Sequence, residues 1–239
     1  MHLLDQTFPT PEENLACDEA LLNAAEQAGE PREVLRFWES DRPLVVVGYS
    51  SHVEREVHQD YCRRSQIPIL RRTSGGAAVV AGPGCLMYAL VLSYELRPQL
   101  RDLGVAHDVV MGRMLAALAP LVPDLEFRGT CDLALDGRKV SGNSVRCRRD
   151  HLLYHGTLLY RFPLELLDAC LAMPPRQPDY RSGRGHSAFV ANLPLNADRI
   201  KSELARAWQA KTPGTPPSPS ELHALIAEKY GRPEWNFKR

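Results

Sequence analysis

Three groups of residues in this sequence combine side-chain type and spacing in ways suited to chemistry. Residues 67–70 are apolar and run into Arg71-Arg72, the chain bends through Ser74-Gly75-Gly76, and Ala77-Ala78-Val79-Val80 leaves as a second apolar run. Glycines lack the β-carbon that would keep backbone N–H groups from an anion, and a neighbouring arginine adds charge. An ordinary or bulged hairpin turn uses Gly-Gly as well. The second group is Lys139, Ser141 and Asn143, which follow the hairpin signal Asp136-Gly137; a strand's period of two puts all three on one face. A solvated face is the ordinary use of such a row, and a ligand-reading row is the alternative. The third is His155-Gly156-Thr157 inside an apolar run, where the glycine permits close approach from outside the strand. A histidine hydrogen-bonded in the core is the competing reading.

These groups need elements to carry them. Thr10-Pro11-Glu12-Glu13 has the form of a capped helix start, and Cys17, Ala20, Leu21 and Ala24 repeat at helical spacing. Strands are expected over residues 34–38 and 44–47, with Trp38 a core residue or a pocket wall. A polar helix is expected over residues 54–65. Residues 85–92 are apolar throughout, as in a strand covered on both faces, and the turns around residues 77–80 suggest a meander. A helical stripe runs over residues 106–121. Strand 152–160 is followed by a helix near 164–171, and the proline- and arginine-rich stretch 174–186 reads as an extended loop or a lid. Helices near 199–209 and 220–230 flank a flexible proline-rich linker at 212–220.

The 239 residues contain 29 Lys+Arg and 29 Asp+Glu, so an anion site must be local, and global charge points to neither nucleic acid nor a membrane surface. The six cysteines form no CxxC pair, which argues against a disulfide framework or a zinc knuckle and for a reducing cytoplasm. The first residues do not read as a signal peptide, and the longest apolar run is far short of a membrane span.

Taken together, Arg71-Arg-Thr-Ser-Gly-Gly76, Asp136-Gly-Arg-Lys-Val-Ser-Gly142, His155-Gly-Thr-Leu-Leu159 and Glu234-Trp-Asn-Phe237 occur in the order and rough spacing of lipoate-protein ligases, supported by Asn14-Leu-Ala16. The chain thus resembles the biotin and lipoate ligase family along essentially its whole length. The resemblance implies an α+β fold, a mixed, mostly antiparallel sheet flanked by helices, related to class II aminoacyl-tRNA synthetase catalytic domains, with residues 1–239 as one catalytic domain and no large accessory C-terminal domain. It implies ATP-dependent activation of lipoic or octanoic acid as an acyl-adenylate, then transfer to a lysine of a lipoyl carrier domain, such as a 2-oxoacid dehydrogenase E2 subunit or the glycine cleavage H protein. A separate accessory chain is a possible further partner.

On that resemblance Lys139 is the catalytic cation. Arg72 and residues Gly75, Gly76, Ala77, Ala78, Val79 and Val80 hold the nucleotide. Trp38, Ser74, Ser141, Asn143, His155, Gly156 and Thr157 surround the lipoate with Lys139, and Asp132 is a candidate magnesium ligand, because a hard cation prefers carboxylate oxygen.

The sequence departs from the family pattern at Ala77, where a third glycine is usual, at Ala81-Gly82, where His-Asp is usual, and at Cys131, where Asn is common. Two rival readings follow. One is a cysteine-dependent octanoyl or lipoyl transferase of the same fold with Cys131 as nucleophile. The other is a binding protein that has lost turnover.

Overall fold

The computed structural model describes residues 1–238. In chain order the strands are β1 (His2–Asp5), β2 (Val34–Trp38), β3 (Leu44–Val47), β4 (Ile69–Arg71), β5 (Val79–Ala81), β6 (Cys85–Ser93), β7 (Leu125–Arg128), β8 (Asp132–Leu135), β9 (Arg138–Cys147), β10 (His151–Leu159) and β11 (Thr212–Pro213). The helices are α1 (Pro11–Gln27), α2 (Val53–Glu56), α3 (Gln59–Arg64), α4 (Leu103–Leu118), α5 (Glu165–Cys170), α6 (His186–Phe189), α7 (Ala197–Ala207), α8 (Pro219–Leu225) and α9 (Pro233–Asn236).

Eight strands form one sheet in the order β11-β1-β2-β6-β10-β9-β8-β7, and β4-β3-β5 form a second. Only the β1 pairings with β2 and β11 are parallel in the large sheet; its remaining pairs are antiparallel, giving the mixed, mostly antiparallel sheet expected. One face, carrying Leu86, Leu90 and Tyr154, packs under α4 and α7. The other, carrying Met87, Ala89 and Leu153, packs against α1, the small sheet and α5. Residues 85–93 are buried throughout because both faces of β6 are covered.

The start of α1 follows its sequence signature. Thr10 Oγ1 accepts the Glu13 N–H at 3.2 Å while the Glu13 carboxylate accepts the Thr10 N–H at 2.9 Å, a reciprocal cap that stabilises a helix start by about 1 kcal/mol. The cap orients buried Asn14 and Asp18 towards β2, where Arg36, fully buried, donates to both.

Four expectations are corrected. The piece at 54–65 is two helices, because Val57 turns extended to bridge Leu171 and interrupts the ladder. Residues 69–81 are no meander: β4 and β5 flank β3 and do not pair with each other, so the Ser74-Gly75-Gly76 bend crosses the end of β3. The stretch 212–220 is not a free linker, since Thr212–Pro213 add a parallel edge to β1 and the Gly214 N–H bonds Leu3 O at 2.7 Å. The fourth concerns a side chain rather than backbone: Trp38 lies 1% exposed in the core beside the Arg36 guanidinium and does not line the cavity described below. Among the described residues no helix is long and apolar enough to cross a membrane.

Candidate functional site

A cavity of about 190 Å³ opens between β9–β10, the loop after β4, and the strap formed by residues 174–190. Its walls combine apolar side chains, Leu15, Met87, Leu159, Leu167 and Leu171, with the basic groups Arg72, Lys139, Arg176, Arg181 and His186. Such a lining suits a molecule with both an alkyl body and an anionic group.

The glycine loop is held from behind. The Gly75 carbonyl accepts from the Arg72 guanidinium and from Ser144 Oγ at 2.9 Å, the Gly76 carbonyl from Ser51 Oγ at 3.0 Å, and the Ala77 carbonyl from Arg72 Nη2 at 2.9 Å. With the carbonyls turned to these donors, the amides of Gly75, Gly76 and Ala77 meet no acceptor among the described residues. Successive unpaired amides of this kind make an anion-binding concavity. Arg72 is the brace of this loop: its donors reach Val46 O, Ser74 Oγ and the carbonyls of Gly75 and Ala77, and burial pulls its guanidinium down to about 10.

The lysine hairpin differs from its expected register. Asp136 and Gly137 take positive φ, 51° and 67°, as the two-residue turn requires. Beyond it Lys139 pairs with Ala134 but Ser141 pairs with Leu133, leaving Val140 as a bulge. The extra residue breaks the period of two. Lys139 therefore shares a face with Gly142, Ser144 and His155, while Ser141 and Asn143 turn to the opposite face; Asn143 bonds Tyr88 and lies under Gly156, where a β-carbon would come within 1.8 Å of its Oδ1. Gly142 is required by the same geometry. A β-carbon there would stand 2.6 Å from Lys139 Cε and 2.8 Å from Nζ.

Lys139 Nζ lies 2.8 Å from Asp132 Oδ1, and the Tyr180 hydroxyl donates to Asp132 Oδ2 at 2.9 Å. Both carboxylate oxygens are engaged, and among the described residues no group of three or more His, Cys, Asp or Glu side chains could hold a metal ion. In this structure Asp132 is the ion-pair partner of Lys139.

Of the sequence-derived site residues, the cavity is lined by Arg72, Gly76, Ala77, Ala78, Val79, Val80, Lys139, Ser141, Asn143, His155, Gly156 and Thr157. Gly75, Ser74, Asp132 and Trp38 do not line it. Ser74 stands one bond behind, 2.6 Å from His155 Nε2. Burial works to raise the neighbouring Asp18 carboxyl, yet Arg36 and His155 hold it below the usual carboxylate value.

Sequence reasoning missed Glu56, Ser144, Arg176 and Arg181. Glu56 is the one carboxylate on the cavity wall among the described residues, and its Oε2 accepts the Ala78 N–H at 2.8 Å. The arginines sit in a stretch whose composition was visible but whose path was not.

This arrangement can be set beside known proteins. The sequence pattern of the lipoyl protein ligase A/B catalytic domain matches residues 10–206. The chain belongs to that family. It is 30% identical over 268 residues to octanoyltransferase LipM of Carboxydothermus hydrogenoformans, covering 95% of this chain and 94% of that one. It is 26% identical over 254 residues to lipoate-protein ligase A subunit 1 of Thermoplasma acidophilum, covering 98% and 95%. A structure of lipoate-protein ligase A bound with ATP superposes with a TM-score of 0.83 at 24% identity, covering 99% of this chain and 98% of that one. That likeness establishes the fold.

In this member of the lipoyl ligase family the cysteine nominated for transferase chemistry is poorly placed. Cys131 Sγ donates to Asn143 O at 3.1 Å, is absent from the cavity wall, and burial, followed by Asp132, pushes its thiol up to about 11. Cys17, Cys62, Cys85 and Cys170 are buried in the core with thiols likewise raised by burial, and no cysteine lines the cavity among the described residues.

Proposed function

We propose that this protein is an ATP-dependent lipoate-protein ligase, joining lipoate or octanoate to a lysine of a lipoyl carrier domain in the cytoplasm. One observation carries the reading: Lys139 stands in a single cavity with an apolar slot and an unpaired-amide loop, and no cysteine among the described residues shares that wall.

The residues fit a nucleotide. The amides of Gly76 and Ala77, with Arg176 and Arg181, offer donors and positive charge to phosphates. ATP supplies the adenylyl group that converts the acid into a reactive mixed anhydride. Leu15, Met87, Leu159, Leu167 and Leu171 bury the alkyl chain and exclude water. Lys139, fixed by Asp132, offsets the repulsion between carboxylate and phosphate as they approach, and a preorganised cation acts most strongly on charge that develops late. Holding two anions in line is the larger contribution.

The LipM relatives favour one alternative, acyl transfer from a carrier thioester through a cysteine thiolate. A thiol raised to about 11 is almost wholly protonated at neutral pH, and the thiolate is the nucleophile.

The test incubates purified protein with an apo lipoyl domain and lipoate, with and without ATP, and separately with an octanoyl carrier thioester, following the carrier's mass. A shift that requires ATP and survives Cys131→Ser supports the ligase. A shift from the thioester alone, abolished by Cys131→Ser, replaces it with the transferase. Ligand binding without any shift replaces it with a binding protein.

A further inference from the structure

The strap formed by residues 174–190, together with Ala191 that follows it, is stitched to the lysine hairpin at three points besides the cavity wall. Arg184 Nη2 donates to Gly137 O at 2.8 Å, the Ala191 N–H donates to Lys139 O at 2.9 Å, and the Tyr180 hydroxyl reaches Asp132. Backbone and side chain of Lys139 are thus both held from the strap, the side chain through one intermediary.

From this geometry we infer that Tyr180 is a positioning residue for Lys139, acting through Asp132 and coupling the seating of the strap to the orientation of the ammonium group. The inference rests on the ligase reading for the role of Lys139, while the contact itself does not.

A carboxylate rotates readily about its terminal torsion, whose minima are broad. Tyr180 on Oδ2 and Lys139 on Oδ1 fix the plane of Asp132, so Nζ has one position. Removing the phenolic proton donor frees that plane and spreads the ammonium over several positions. Tyr180 is half-buried, with its ring 5.1 Å from Phe189 and edged against Gly129, so the ring keeps its packing when the hydroxyl is lost. Its neighbour Arg181, 4% exposed, stacks at 4.8 Å on Phe189 and lines the cavity. Arg181 on the cavity wall and the hydroxyl held at Asp132 are therefore adjacent on the strap, so the segment that lines the cavity is also the one that holds the carboxylate steering the lysine.

The test compares wild type, Tyr180→Phe, Asp132→Asn and the double variant. Tyr180→Phe is expected to lower kcat for ATP-dependent carrier acylation roughly 10- to 100-fold, the scale of a misplaced catalytic group, with KM for lipoate and ATP within about twofold. In the Asp132→Asn background the same change is expected to cost nothing further, because the intermediary is already gone. A purely structural role would give additive losses or a rise in KM, and either result overturns the inference, as does an unchanged kcat.

A second readout does not depend on turnover. The Lys139 ammonium, assigned by its loss in Lys139→Arg, is expected to give a slowly exchanging proton–nitrogen NMR signal in wild type that broadens away in Tyr180→Phe. An equally sharp signal in that variant overturns the inference. If wild type acylates no carrier with ATP, the ligase reading fails, and the NMR comparison still decides whether Tyr180 holds Lys139.

Discussion

Ser74 Oγ stands 2.6 Å from His155 Nε2, and the other ring nitrogen of His155 faces Asp18 Oδ2 at 3.5 Å. A buried carboxylate on α1 and the Ser74 hydroxyl thereby engage both ring nitrogens of His155 and fix the orientation of the imidazole. Ser74 in turn accepts from Arg72 Nε at 3.2 Å, which ties the strand of His155 to the glycine loop. Ser74→Ala is expected to weaken acid binding roughly 3- to 10-fold, the worth of one neutral hydrogen bond, by loosening the loop. Calorimetric titration with lipoate measures it, and unchanged affinity would show that the loop is held without this contact.

Gly142 underlies Lys139, and any β-carbon at 142 pushes on Cε and Nζ. Gly142→Ala is expected to reduce ATP-dependent acylation by roughly 10- to 100-fold with a near-native melting temperature, since the far end of a flexible side chain is what must move. Single-turnover formation of acyl-AMP checks the site of the loss. A variant with wild-type turnover would remove Lys139 from the proposed position.

How far the sequence foretold this site depends on whether one residue's neighbours lie along the chain or across it. The cap at Thr10 and the turn at Asp136-Gly137 rest on local chemistry, and both were legible. Residues 85–92 read as a doubly covered strand because burial on two faces leaves an apolar run. The bulge at Val140 was not legible: no residue type marks it, and it alone sends Lys139 to one face and Ser141 with Asn143 to the other. Arg72 read as an anion ligand because arginine beside glycine suggests one, yet its donors are taken by carbonyls that only the folded loop presents. Glu56 went unnoticed since its partner, the Ala78 amide, is 22 residues away. Trp38 was assigned to the slot by family likeness, and its place in the core is set by β2 pairing with β6.

Two buried histidines give the fold a pH dependence of known sign. His107, whose Nδ1 is 2.9 Å from the Tyr154 hydroxyl, and His186, whose Nε2 is 3.2 Å from Ala172 O, are both pulled below the ordinary value of 6.5 by burial. As pH falls through 6.5 the unfolded chain takes up protons first, so it is the unfolded state that gains. Stability is therefore expected to be full above that value and to decline below it, before the further contribution of Asp18 and Asp168, whose carboxyls are held below the ordinary 3.8 in the folded protein, is lost as pH falls below 3.8. Urea midpoints at pH 7.5 and 5.5 test this, and a midpoint that rises on acidification contradicts it. His107→Gln should remove part of the slope.

The last contact of consequence reaches the glycine loop from the far end of the chain. Arg71, fully buried, donates through Nη1 to the carbonyls of Gly48, Tyr49 and Ser51, through Nε to Trp235 O at 3.0 Å and through Nη2 to Asn236 O at 3.1 Å. Asn236 Oδ1 accepts the Arg71 N–H, and Trp235 Nε1 donates to Arg71 O. The turn that Arg71 gathers holds the loop, since the Tyr49 N–H bonds Ser74 O and Ser51 Oγ bonds Gly76 O. Asn236→Ala leaves the buried Arg71 amide and Tyr230 carbonyl without their side-chain partners, at a cost of about 1–3 kcal/mol, which in a chain of this length lowers the melting temperature by roughly 3–10 °C. Hydrogen exchange should speed at the amides of residues 73–78 in that variant more than in β6. Equal exchange in the loop with a lowered melting temperature would mean that the C-terminal residues support the core and leave the anion loop untouched.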